Sequence, residues 1–227
     1  MTETNGGRTA LVAGASGLVG GLLLKRLLAA PQYERVLAVT RRDLGTGHQK
    51  LRQITANFDR LDTALAGIGA VDDAFCTLGT TIRKAGSEAE FRKVDHDYIL
   101  AFGQAAKQAG AERFLLISAV GANARSRVFY SRVKGETEEA LTALGFPALD
   151  IFQPGLLLGA RSERRPTEAA FIALMPLINP LLLGPAKIYR GISADALAAA
   201  MIEAAKAPPA GLHRHTYASM ISLAARA

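Results

Sequence analysis

The 227-residue chain has one cysteine, Cys76, and no tryptophan. A single thiol excludes an internal disulfide, and without a CxxC pair or a Cys/His cluster no metal is expected. Aromatic residues make up only 6% of the chain, and its 27 Lys and Arg are scattered, with no run longer than Arg41-Arg42 or Arg164-Arg165. The stacking surface that nucleic-acid binding needs is therefore missing, and no nucleic-acid partner is expected. The net charge of +7 reads as a solvated basic surface that favours small anionic partners. The opening residues, MTETNGGRTA, lack the basic start and apolar run of a signal peptide, so the expected location is cytoplasmic. Residues 169–186 carry no charge, but Pro176, Pro180 and Pro185 would interrupt any spanning helix. That stretch is expected to be a buried lobe or a subunit contact in a homo-oligomer, not an integral membrane span.

What is present is alternation. Apolar runs of strand type (Arg8–Ala13, 35–40, Leu51–Thr55, 71–77, 113–118 and Ala148–Phe152) are separated by helical patterns at 17–30, 61–66, 88–109 and 128–144. A last helix is expected at 193–207, with Asp195 in its first turn, and a final strand at 212–218. Strand–helix alternation of this length implies βαβ units. The expected fold is α/β, one doubly wound parallel sheet over residues 1–227, with 156–227 adding a small C-terminal lobe. Ligands of such sheets sit outside the carboxyl ends of the strands, where every motif below falls.

The first motif is GASGLVG between the first strand and the first helix. Gly14 permits the tight turn, Gly17 lets the backbone approach a pyrophosphate, and Gly20 lets the helix pack closely on the sheet. The helix N-terminus offers free N–H groups to the phosphates. The second strand ends in Thr40-Arg41-Arg42, where two guanidiniums suit a ribose 2′-phosphate; Asp43 is a weaker rival that would suit a hydroxyl.

The second motif pairs Tyr130 with Lys134 at i and i+4, on one helical face. A free phenol holds its proton too tightly to act as a base near neutral pH. A unit charge about 4 Å away, at an effective dielectric of about 20, is worth roughly 4 kcal/mol, enough to make Tyr130 a usable acid or base. Ser118, at the end of the fifth strand, is expected to orient and polarise the same substrate oxygen.

These segments, together with VTRRD, CTLGTTIRKAGSEAEFRKVDHDY, ISAVGANARSRVFYSRVKGETE and FQPGLLLG, resemble the atypical short-chain dehydrogenase/reductase superfamily. Within it the chain looks most like the Tat-interacting protein family. The resemblance implies a Rossmann-like fold binding NADP(H). It assigns Gly14, Ser16, Gly17, Leu18 and Val19 to the pyrophosphate, and Arg41 and Arg42 to the 2′-phosphate. Asn57 and Phe58 would lie by the adenine, and Leu78, Gly79 and Thr80 along the middle of the cofactor. Pro154, Gly155 and Leu156 would hold the nicotinamide end. Ser118, Tyr130 and Lys134 would be catalytic, with Tyr130 and Lys134 also touching the cofactor. The chain departs from many relatives at Asp95, where they carry asparagine, so a proton relay through that amide is not carried over.

The remaining candidates read more simply. Cys76 is expected to be buried and inert, and His213 and His215 to be structural. Asp95 and Asp97 read as a solvated helix stretch, with the alternative that Asp95 stabilises the loop near the nicotinamide. The first functional expectation is an NADP-dependent oxidoreductase acting on a small carbonyl or alcohol. The second is a non-catalytic NADPH-binding sensor or scaffold, and the third, resting on 169–186 alone, is a membrane-associated subunit.

Overall fold

The computed structural model describes residues 7–158, 184–208 and 210–227. Seven parallel strands form one sheet: β1 (Arg8–Ala13), β2 (Tyr33–Thr40), β3 (Leu51–Thr55), β4 (Asp73–Cys76), β5 (Arg113–Ile117), β6 (Ala148–Phe152) and β9 (Gly211–His215). Their order is β3-β2-β1-β4-β5-β6-β9, which reverses direction between β1 and β4. That reversal opens a crevice at the carboxyl ends of β1 and β4. A separate ladder joins β7 (Leu157–Leu158) to β8 (Ile192–Ser193).

The two-residue period of β1 builds a core on each face. Ala10 and Val12 point into the layer of α1 (Leu18–Ala29), while Leu11 and Ala13 point into the opposite layer. The first layer also holds α7 (Ala194–Ala204) and α8 (Tyr217–Ala224), through Leu197, Met201 and Met220. The second is built from α2 (Leu61–Ala64), α5 (Tyr98–Gln108) and α6 (Phe129–Ala143), through Leu61, Ile99, Phe102 and Leu141.

Three departures from the sequence expectations bear on the site. The long helix expected at 88–109 is α4 (Glu88–Arg92), a π-helical stretch Lys93–Asp97, and then α5. A short α3 (Ile82–Ala85) precedes it, capped by Thr81. At the carboxyl end of the chain, β9 stops at His215 and α8 follows, where the sequence suggested strand as far as 218. An eight-residue apolar run is too short for its period to separate helix from strand. The uncharged stretch 169–186 lies outside the described residues except for its last three, which begin a 3-10 helix at Gly184–Tyr189. Among the described residues, no helix is long and apolar enough to cross a membrane.

At the amino ends of the strands a buried ionic cluster fastens the layers. Asp73 accepts from the Tyr33 hydroxyl at 2.6 Å and pairs with Arg8. The guanidinium of Arg113, also buried, lies between Asp73 and Asp150 and donates to the carbonyls of Ala204 and Ala207 at the end of α7. Burial pushes the Asp73 carboxyl above its ordinary range despite these partners. Arg113→Met should therefore lower the unfolding free energy by about 3–5 kcal/mol, because it leaves buried carboxylates under-compensated and helix carbonyls without a donor. Urea denaturation followed by circular dichroism measures this, and a loss below about 1 kcal/mol would show that the cluster does not hold the layers.

Candidate active site

The glycine loop is built as its spacing suggests. Gly14 has φ of 88°, a conformation suited to glycine, and a Cβ there would lie 2.6 Å from Thr77 Oγ1. A Cβ on Gly20 would lie 2.1 Å from the Gly14 carbonyl oxygen, so α1 rests directly on the turn. Gly17 is the N-cap of α1 and offers no side-chain cap, and the first turn has no acidic residue. Its N–H donates to the Gly14 carbonyl at 2.9 Å. Ser16 and Gly17 are exposed, Leu18 is half-buried and Val19 is buried in the core. The first turn of α1 leaves N–H groups without intrahelical acceptors and has no acidic side chain, a combination that fits dinucleotide phosphates.

Around the loop, Arg41 and Arg42 are exposed beyond β2, while the Asp43 carboxylate accepts from the Gly45 N–H at 2.9 Å. Asn57 caps the 3-10 turn Phe58–Arg60 by accepting from the Asp59 N–H. The Phe58 ring is buried against Tyr98, so its backbone is what the crevice can meet. Pro154–Leu156 is fastened on both sides, by Val120 N–H donating to the Pro154 carbonyl and Ile192 N–H to the Leu156 carbonyl.

Tyr130 is half-buried on α6 and packs against Phe91, with ring centroids 5.5 Å apart. Lys134 is buried one turn later, and its Nζ lies 2.7 Å from Oδ1 of Asp95. Asp95 is 0% exposed, which corrects the reading of a solvated helix stretch. The π-helical turn, one residue wider than an α turn, accompanies this inward placement. The other carboxylate oxygen accepts from the Thr80 N–H at 2.8 Å, which is the loop contact given as the alternative. Burial by itself disfavours the charged form of Lys134. The charges of Asp95 and then Tyr130 more than offset this, and the Lys134 pKa stands above its ordinary value. Cys76 is buried and its thiol is pushed up to about 12 by burial, so it is inert.

Ser118 is 5% exposed, and its hydroxyl donates to Oε1 of Glu138 at 2.6 Å. Glu138 also receives Gln153 Nε2 at 2.8 Å and Arg214 Nε at 3.2 Å. The hydroxyl proton expected to polarise a substrate oxygen is therefore directed into the protein. His215 stacks on Phe152 and pairs with Asp150 at 2.8 Å, and among the described residues no group of three or more His, Cys, Asp or Glu could hold a metal.

Sequence reasoning missed two residues. Glu138 gave no signal, because its partners come from β5, β6 and β9. Gly135 did leave one, as a small residue directly after Lys134: a Cβ there would lie 2.1 Å from Ala124 N, so only glycine lets the loop after β5 settle on α6. The glycine loop makes a contrast that can be measured. Gly20→Ala should cost about 2–3 kcal/mol and lower the melting temperature, because the new methyl meets backbone. Gly17→Ala, whose Cβ would meet only the Gly14 carbonyl at 3.2 Å, should melt within a few degrees of wild type. Equal melting of the two variants would remove the packing role of Gly20.

The sequence profile of a family described as NAD(P)H-binding matches residues 14–145. The chain is 38% identical to Protein HTATIP2 of Rattus norvegicus over 164 residues, covering 71% of this chain and 67% of that protein. It is 36% identical to Protein FMP52-1, mitochondrial, of Scheffersomyces stipitis over 185 residues, covering 81% and 77%. Among solved structures, MoeE5 in complex with UDP-glucuronic acid and NAD shares the fold with a TM-score of 0.68 at 18% identity, covering 96% of this chain and 81% of that one. The cytoplasmic expectation is corrected by these relatives, since FMP52-1 and further fungal proteins are named mitochondrial. The pattern of a secretory signal peptide, which the opening residues lack, does not distinguish compartments inside the cell. By profile and by identity, the chain belongs to the NAD(P)H-binding family and stands alongside HTATIP2.

Proposed function

We propose that the protein is an NADP(H)-dependent oxidoreductase that moves hydride to or from a small carbonyl or alcohol. One observation carries the reading: the segment 77–80 after β4 meets both halves of the site. Thr77 abuts Gly14 and Gly20 of the phosphate cradle, and a Cβ on Gly79 would lie 3.4 Å from Asp95 Oδ1 and 3.9 Å from Lys134 Nζ. A dinucleotide laid across that segment spans from the cradle to the acid/base pair.

The nicotinamide, when bound, supplies or accepts the hydride. Gly14, Ser16, Gly17, Leu18 and Val19 would hold the pyrophosphate by backbone N–H groups, with Asn57 and Phe58 beside the adenine. Leu78, Gly79 and Thr80 would line the middle, and Pro154, Gly155 and Leu156 the nicotinamide end. Tyr130 would give its proton to the substrate oxygen or take one from it, and Lys134 would stabilise the phenolate left behind. Ser118 can polarise that oxygen only by releasing Glu138, so in this arrangement Tyr130 is the donor. The same committed hydroxyl favours a second reading, a non-catalytic NADPH-binding sensor. The names of the fungal relatives support mitochondria as the location.

Cofactor choice follows from Arg41 and Arg42. Isothermal titration should show tighter binding of NADPH than of NADH. Changing both arginines to alanine should weaken NADPH about tenfold or more per lost charge-assisted hydrogen bond while sparing NADH. Equal affinities in the unmodified protein would sink the assignment.

The role of Tyr130 is tested on a substrate found by following NADPH oxidation over aldehydes, ketones and quinones. Tyr130→Phe should cost about 10²–10⁴-fold in turnover with NADPH affinity nearly unchanged. Full activity in that variant would take the tyrosine out of the mechanism. A wild type that binds NADPH but turns over no substrate supports the sensor.

A further inference from the structure

Buried Asp95 has no role assigned above, and it makes three contacts with two other parts of the chain. Oδ1 lies 2.7 Å from Lys134 Nζ on α6, Oδ2 accepts from the Thr80 N–H at 2.8 Å, and its carbonyl oxygen lies 2.8 Å from Thr137 Oγ1, again on α6. Thr137 shares that hydroxyl with the Val133 carbonyl, also at 2.8 Å. Thus the π-helical stretch is bound to α6 by its backbone and to the segment after β4 by its side chain.

We propose that Asp95 is a positioning residue. It keeps the Lys134 ammonium charged in a buried site and locks it to the Thr80 loop, so that the two groups facing the nicotinamide ribose are presented as one unit. The proposal rests on the cofactor reading above and goes beyond it in naming what holds Lys134 in its working state.

The physics leaves Lys134 few other supports. A buried ammonium loses several kcal/mol of hydration and keeps its proton only beside a compensating charge. The titratable groups facing it are Asp95 from the π-helical stretch, Tyr130 from its own helix and Cys76 from β4. The Cys76 thiol, pushed up to about 12 by burial, is neutral over the working range. Tyr130 is neutral whenever it holds the proton it would donate. Asp95 is then the compensating anion. A Cβ on Gly79 would lie in ordinary contact with both groups, 3.4 Å from Asp95 Oδ1 and 3.9 Å from Lys134 Nζ, so the segment after β4 passes directly beside the pair.

Asp95→Asn isolates the effect. The amide oxygen can still accept from Thr80 N–H, so the loop bond survives, while the negative charge is lost. The readout is NADPH affinity by fluorescence titration, variant against wild type, from about pH 7 to about pH 9.5; taking the ratio cancels groups that titrate in both proteins. The sign follows from linkage. With Asp95 the folded Lys134 pKa is raised, so the ammonium survives across the window and wild-type affinity stays level. Without it, burial prevails and the ammonium is lost as pH rises. The variant should bind NADPH at least as tightly as wild type near pH 7, having one fewer negative charge beside an anionic ligand, and should fall about tenfold relative to wild type by about pH 9.5. In a Lys134→Met background, Asp95→Asn should give a ratio independent of pH.

A uniform loss at every pH, as a merely structural residue would give, overturns the proposal, and so does a pH-dependent ratio that persists without Lys134. If Asp95→Asn does not fold, wild type alone decides. A fall in its NADPH affinity across the same window that Lys134→Met abolishes would show that Asp95 does not hold the charge, and a level affinity supports the proposal. Wild type that binds neither NADPH nor NADH removes the cofactor reading and this inference with it, whereas a flat ratio with intact binding removes the inference alone.

Discussion

The contact of α1 with the turn at Gly14 sets the terms for everything at the carboxyl edge of the sheet. Because a Cβ at Gly20 would collide with the Gly14 carbonyl, and one at Gly14 with Thr77, three pieces of chain meet there with only the small Thr77 side chain between them. The helix can start close to the strand only under that condition, and its free N–H groups then open into the crevice where the strand order reverses. Thr77 closes the arrangement: its N–H and hydroxyl both donate to the Ala13 carbonyl, tying the end of β4 to the end of β1.

From that point the segment after β4 carries order to the other half of the site. It runs from Thr77, on the phosphate cradle, to Thr80, on Asp95. Asp95 in turn pairs with Lys134, so the glycine turn and the face of α6 that bears Tyr130 and Lys134 are connected through about four residues. The opposite edge is held differently. There Glu138 gathers Ser118, Gln153 and Arg214, which joins the ends of β5 and β6 to β9 through a buried carboxylate. Two buried acids thus flank the face of α6 that bears Tyr130, one acting through a lysine and one through a serine. Ionic groups are costly to bury, and each of these has a cationic partner at the carboxyl edge of the sheet, Lys134 for Asp95 and Arg214 for Glu138.

The placement of Tyr130 and Lys134 on one helical face, and of the three glycines at the turn after β1, was legible because it depends on local spacing. An i, i+4 pair on a helix and a GxxGxxG turn after a strand have the same geometry wherever they occur. Asp95 was misread for the opposite reason. In sequence it sits in VDHDY, an acidic stretch inside an amphipathic helix, and nothing local distinguishes it from Asp97. It lies buried within a π-helical turn, and its partner is a lysine 39 positions away. Ser118 was placed correctly at a strand end, but its hydroxyl was assigned to a substrate because Glu138 lies a full helix later in the chain.

The sequence by itself determined the strand–helix alternation, the glycine turn between β1 and α1, the two-sided burial of the strands and the sharing of one helical face by Tyr130 and Lys134. Each follows from periodicities of two and 3.6 residues or from the steric needs of glycine, which act over a few neighbouring residues. Only the tertiary structure decided which charges face one another. It sent Arg113 between Asp73 and Asp150, Lys134 to Asp95 and Ser118 to Glu138, and it made His215 part of the sheet edge. Those pairings join residues from different strands and helices, and in a low-dielectric interior their energies depend on ångström-scale distances that no local pattern encodes.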